Sequence, residues 1–154
     1  RYLDDRIEAL DQRIKEIVKQ DPTACRLLEL RGVGPLTASA LAGALGDGRA
    51  FTRGRDFAAS LGLTPRQNST GGKDRLLGIS KRGDNYLRKL LVHGARAVLR
   101  HAKGRDDGLS QWLNDLSARK HANVVTVALA NKTARIAWAI VHNETSYDAQ
   151  MAAG

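Results

Sequence analysis

The sequence predicts a mainly α-helical domain with a small irregular or β-hairpin insert around residues 63–80 and an N-terminal coiled-coil helix. Three observations lead there. Apolar residues recur at helical spacing through residues 1–20, 84–102 and 122–142. Segment 63–83 breaks that rhythm with Pro65, a polar cluster and the pair Gly71-Gly72. A tight turn, Arg31-Gly32-Val33-Gly34-Pro35, joins two short helical stretches.

The elements follow in order. In residues 1–20, Leu3, Ile7, Leu10, Ile14 and Ile17 make the a/d stripe of a coiled coil between charged positions. A helix this polar needs cover for its one stripe. Either it is half of a helical hairpin or dimer seam, or it folds back on the domain. The chain starts without Met, so the helix is expected to be the end of a linker from a missing N-terminal domain. Asp21 and Pro22 start the next helix as N-cap and first residue. It runs to about Leu30, and Cys25 beside Leu27 and Leu28 is expected to fill the core. After the glycine turn, Leu36 to Leu45 is a small-residue helix closed by Gly46-Asp47-Gly48. Another short helix runs from about Arg53 to Leu61, with Phe57, Ala58 and Leu61 inward and Gly62 as its stop.

Segment 63–83 is an irregular loop or a hairpin turning at Gly71-Gly72. Asp84 can cap the next helix, whose inner face is Leu87, Leu90, Leu91, Ala95, Val98 and Ala102. Ser110 is the expected cap of a short helix holding Trp112, Leu113 and Leu116. The last long helix, about 122–142, turns Val124, Val125, Ala128, Leu129, Ile136, Ile140 and Val141 inward. The resulting organisation is a helix at 1–20, a domain at 21–143 and a disordered tail at 144–154.

Lys and Arg number 25 against 16 Asp and Glu, a net charge of +9. That excess suits a polyanion, with nucleic acid the first candidate. No apolar run looks long enough to span a membrane. The single Cys25 excludes an internal disulfide and fits a cytoplasmic protein. His93, His101, His121 and His142 are scattered, so no zinc site is assigned.

Three constellations can carry chemistry. In the first, glycines at 32 and 34 let the backbone turn closely, and the following helix offers its N-terminal amides and positive dipole end to a phosphate. That is the logic of a helix-hairpin-helix module, and Arg31, Gly32 and Gly34 are its contact candidates; the alternative is a plain helix–helix turn. The second is Gln67-Asn68-Ser69-Thr70-Gly71-Gly72-Lys73. By residue type it is a polar turn, a phosphate-binding loop, or the seat of a nucleophilic serine among cations. It fits neither a Walker loop nor a hydrolase elbow. The third, Ser80 to Lys89, places cations at a helix start, where they oppose the dipole unless an anion is shared.

The runs Leu30–Pro35, Phe57–Gln67, Ser69–Lys73, Ile79–Asp84 and Leu87–Leu91 together resemble the C-terminal domain of the IS110 class of insertion-sequence transposases, over about residues 24–142. The resemblance implies a DNA recombinase guided by a structured RNA. It implies a separate N-terminal RuvC-like domain whose acidic residues bind Mg2+, with no cofactor held by the present segment. It also implies a serine nucleophile in a Ser-x-x-Gly pattern, which falls on Ser69 and would link to DNA as phosphoserine. Arg66, Gly71, Gly72, Lys73, Arg75, Lys81 and Arg82 become the nucleic-acid contacts. The expected partners are DNA, guide RNA, the RuvC-like domain and a further copy of the chain, with no membrane. Without the acidic domain the segment is expected to be inactive alone. The competing reading is a helix-hairpin-helix module that binds DNA or RNA without chemistry.

Overall fold

A computed structural model describes residues 1–153; the side chains of residues 67–70, 73–77 and 153 lie outside the described set. The order is α1 (Tyr2–Gln20), α2 (Pro22–Leu27), α3 (Pro35–Leu45), α4 (Gly54–Ser60), β1 (Pro65–Thr70), β2 (Lys73–Ile79), α5 (Asn85–Arg100), α6 (Gly108–Ser117), α7 (Ala122–His142) and α8 (Ala149–Ala153). The mainly helical class read from the sequence is the class observed.

Local chemistry fixes the helix ends. The Asp21 carboxylate accepts from the Thr23 and Ala24 amides, with Pro22 at the first turn of α2. Asp84 caps α5 by accepting from the Leu87 amide at 2.9 Å. The cap of α6 is Asp107 and not Ser110. Asp107 accepts from both the amide and the hydroxyl of Ser110, which sits buried inside the first turn. A carboxylate is the stronger acceptor for an orphan amide, so it takes the outer position.

Helix α7 is the central post, packed on α5, α4, α6, α2 and α3. Because neighbours surround it, it buries Thr126, Ala130, Thr133, Ala134 and Ala137 as well as Val125, Leu129, Ile140 and Val141. The expected one-sided face is therefore too narrow, and Val124, placed in it, is exposed. By length and mean hydropathy α7 does reach the range of a membrane-spanning helix, contrary to the sequence expectation, but 56% of its apolar window is buried inside this bundle. Its alanines let neighbours approach closely, and Leu27, Leu41, Phe57, Leu61, Leu87 and Leu113 complete the core. On α5, Leu87, Leu91, Ala95 and Val98 are buried as expected, whereas Leu90 is half-buried. Trp138 is a packing residue. Its indole N–H lies 3.1 Å from both the Gly48 and Phe51 carbonyls, and its ring stacks on His142.

Of the two alternatives for α1, folding back on the domain is not the one observed, and two further sequence expectations differ from the structure. Leu3, Ile7, Leu10 and Ile17 are exposed, and only Ile14 and Val18 near its end join the core. Cys25 is on the surface, its thiol donating to the Val18 carbonyl at 3.1 Å, because Ala24 and Leu27 take the inner face of α2. Where a disordered tail was expected, α8 packs on α6 and α7, buries Ala152, and is preceded by a Tyr147 amide donating to Glu29.

Candidate nucleic-acid interface

Segment 63–83 forms an antiparallel hairpin whose closing pair is Thr70↔Lys73. Gly71 and Gly72 have φ of 62° and 76°, the left-handed pair that a two-residue turn of this twist requires. Ser69 pairs with Asp74, one step from the turn. The extensive contacts of the strands are with each other, so the hairpin is an arm standing on the helical bundle.

Its base is firmly built. Below the paired strands, the Ser80 amide donates to the Thr64 carbonyl, the Lys81 amide to Gly62, and the Asp84 amide to Ser60. The two runs come so close that a β-carbon on Gly83 would strike the Ser60 carbonyl, and one on Gly62 the Arg82 backbone. Both glycines have positive φ. The Arg88 guanidinium donates to the Leu61 carbonyl at 3.0 Å and to Asn85 at 2.9 Å. The Asn131 amide reaches from α7 to the Leu63 carbonyl at 3.1 Å. Lys81 holds φ of 55°, a conformation that non-glycine residues seldom adopt.

Between this base, α6 and α7 lies an open groove of about 830 Å³. Val124, Val127 and Ala128 form an apolar floor, with Leu63 buried beneath it. Arg66, Lys81, Lys132 and Arg135 line it with positive charge, and no carboxylate is among the described lining residues. Trp112 closes one end, with the Lys132 ammonium 4.5 Å from its ring centroid, a cation–π distance. Burial, and secondarily the Arg135 charge, depresses the Lys132 pKa. A cationic groove with an apolar floor can hold a phosphate chain and a flat apolar group together.

The structure thus brings Arg66 and Lys81 into one groove and leaves Arg82 exposed beside it. Gly71 and Gly72 form the tip of the arm; the side chains of Ser69, Lys73 and Arg75 are outside the described set. The α2–α3 turn is elsewhere and differently employed. Arg31 is the buried-side partner of Asp107 at 2.7 Å and also donates to the Ser110 hydroxyl. Gly32 is packed on the backbone of Gly94 in α5. Only Gly34, the N-cap of α3, has open space at its α-carbon. The Arg31 assignment as a phosphate contact therefore gives way to a structural ion pair. Hydrogen bonds from Ser110 first, then those from Arg105 and the Arg31 charge, draw the Asp107 pKa down to about 2.

Sequence reasoning missed Trp112, Asn131, Lys132 and Arg135. The available signal was the polar run Asn131-Lys132 and Arg135, one turn apart on an otherwise apolar helix. Among the described residues no three His, Cys, Asp or Glu side chains converge to hold a metal.

Residues 24–109 match the model of the transposase IS116/IS110/IS902 family. The chain is 55% identical over 145 residues to a probable family 20 transposase of Pseudomonas aeruginosa, covering 94% of this chain and 43% of that protein. It is 49% identical over 146 residues to the transposase for insertion sequence element IS1328 of Yersinia enterocolitica, covering 95% and 44%. A pilin gene-inverting protein of Moraxella bovis is 26% identical over 156 residues, covering 96% and 47%. The chain spans less than half the length of these relatives. With more than half of it matched by one family model, the chain belongs to the IS116/IS110/IS902 transposase family.

Proposed function

We propose that this chain is the serine-bearing half of a DNA recombinase. Ser69 on the hairpin arm attacks a DNA phosphodiester, and the arm's cationic base holds the backbone. The observation that carries the reading is the junction of two features in one transposase-family chain: a glycine-tipped arm bearing Ser69 and, at the foot of that arm, a groove whose described charged residues are all cationic.

The step balances simply. The Ser69 Oγ–P bond forms as one P–O bond of the DNA backbone breaks. The proton lost by the serine is regained by the leaving hydroxyl. Rejoining reverses the exchange, with a hydroxyl of another strand attacking phosphorus and Ser69 leaving. Gly71 and Gly72 present no side chain beside the reacting hydroxyl. Arg66, Lys81 and Arg82, with Lys73 and Arg75 on the arm, offset charge gathering at phosphorus. A serine is a poor nucleophile at its free pKa, so activation belongs to an acidic, Mg2+-binding RuvC-like partner domain. A structured guide RNA selects the DNA, and α1 pairs this chain with another copy.

The test is covalent capture. Full-length recombinase carrying this segment, with its RNA and DNA, should yield a denaturation-resistant protein–DNA adduct. Ser69→Ala should abolish the adduct and strand exchange while nucleic-acid binding persists. An adduct that survives and maps to Thr70, Ser80 or Tyr86 would overturn the nucleophile. Unimpaired exchange by Ser69→Ala would reduce the domain to a binding module.

A further inference from the structure

We infer that the groove at the foot of the arm is a seat for unpaired DNA: one base on the apolar floor, its flanking phosphates on the cationic rim. The inference rests on the DNA-cleavage reading above and adds the state of the strand that the site accepts.

The chemistry of the lining selects the occupant. Four cations, Arg66, Lys81, Lys132 and Arg135, with no carboxylate among the described lining residues, suit a phosphate chain and repel a basic peptide. Phosphates alone have no use for a floor of Val124, Val127 and Ala128. Val124 is 51% exposed although it sits on the central helix. In a duplex the apolar faces of the bases are stacked away inside. A base can cover Val124 only where the strand is open, and the pairing of a charged rim with an apolar platform is how single strands are held. The floor lies on α7, beyond residues 24–109 that define the family match, so the groove joins that segment to the helix after it.

Position then says which strand is held. The arm rises from the groove's own rim at Pro65, Arg66 and Ile79. Ser69 lies four residues along β1 from Pro65, roughly 14 Å at about 3.4 Å per residue. That is at most about four nucleotides at the ~3.4 Å per-strand spacing of B-form DNA, and fewer for an unstacked strand. The strand in the groove is therefore the one offered to the serine, opened within about four nucleotides of the phosphate attacked. Lys81 fits this use: a left-handed lysine at the rim is the kind of local strain that persists where function holds it.

The test uses the chain with a twelve-nucleotide DNA strand carrying one central 2-aminopurine, the matching duplex, and the RNA of the same sequence. The free strand should bind with a change in 2-aminopurine emission. Val124→Glu, at an exposed site, should weaken single-strand binding at least fivefold and duplex binding less than twofold. Arg135→Glu, also exposed, should do the same and decides the matter if Val124→Glu loses its helical circular dichroism. Single-strand affinity within twofold of wild type for the folded variants would overturn the inference, as would a preference for the RNA strand. The readout is binding alone. Loss of the Ser69 assignment would leave single-strand binding in the groove unchanged and remove only its link to the attacked phosphate, and failure of the binding test would leave the covalent adduct untouched.

Discussion

Gly32 and Gly94 meet backbone to backbone, and a β-carbon built on either would land on the other's carbonyl oxygen. The contact ties the α2–α3 turn to the middle of α5. Helix propensity alone would favour alanine at position 94 by about 0.5–1 kcal/mol. Here the obstacle is a carbonyl of a turn whose own residue holds φ of 82°, so nothing flexible can give way. Gly94→Ala should therefore destabilise the domain by about 1–3 kcal/mol. Urea unfolding reads this directly, and a stabilised variant would mean the two backbones are further apart.

The Arg31–Asp107–Ser110 cluster makes a second prediction. Asp107→Ala removes a helix cap, the acceptor of the buried Ser110 hydroxyl proton and the ion-pair partner of Arg31, so it should cost about 1–3 kcal/mol. The pH dependence has a definite sign. The folded Asp107 pKa, about 2, lies below the usual carboxylate value, so its contribution is present above about pH 4 and fades as pH falls toward 2. The stability gap between wild type and Asp107→Asn should be largest near neutrality and close over that window. A gap that widens on acidification would reverse the assignment.

Burial separates neighbours on α5. Leu91 is 2% exposed while Leu90 is only partly covered. Leu91→Ala should lose about 2–5 kcal/mol and Leu90→Ala clearly less. Equal losses in chemical denaturation would show that the helix is rotated from the orientation described.

Lys81 allows stability and binding to be separated. Lys81→Gly relieves a left-handed backbone but frees the unfolded chain, so its net stability change should stay within about 1 kcal/mol. Nucleic-acid affinity should nonetheless fall, and the slope of log affinity against log salt should flatten by about one unit. Arg82→Ala should flatten it similarly. An unchanged slope in both would remove these cations from the interface.

Elements governed by local pattern were legible in the sequence. Asp84 and the Leu87, Leu91, Ala95, Val98 spacing give α5, and Gly71-Gly72 gives the turn of the hairpin. What depends on distant neighbours was not. Arg31 looked like a free phosphate contact because its carboxylate partner lies 76 residues away. The groove joins α6, α7 and the hairpin base, and no single stretch of sequence carries its shape. Helix α8 is too short to show a period, and it is ordered by the surface of α6 that receives it. Ser69 is marked by a motif, and its register opposite Asp74 is a property of the pairing.

Helix α1 leaves every residue from Arg1 to Arg13 exposed, including Leu3, Ile7 and Leu10. The second copy proposed to pair through that stripe would bind the folded helix and have little hold on the unfolded chain. By mass action its occupancy would add to the free energy of unfolding, by about 2.7 kcal/mol when the partner is present at about a hundred times its dissociation constant. The melting temperature of this chain would then depend on how much partner surrounds it, and dilution alone should lower it.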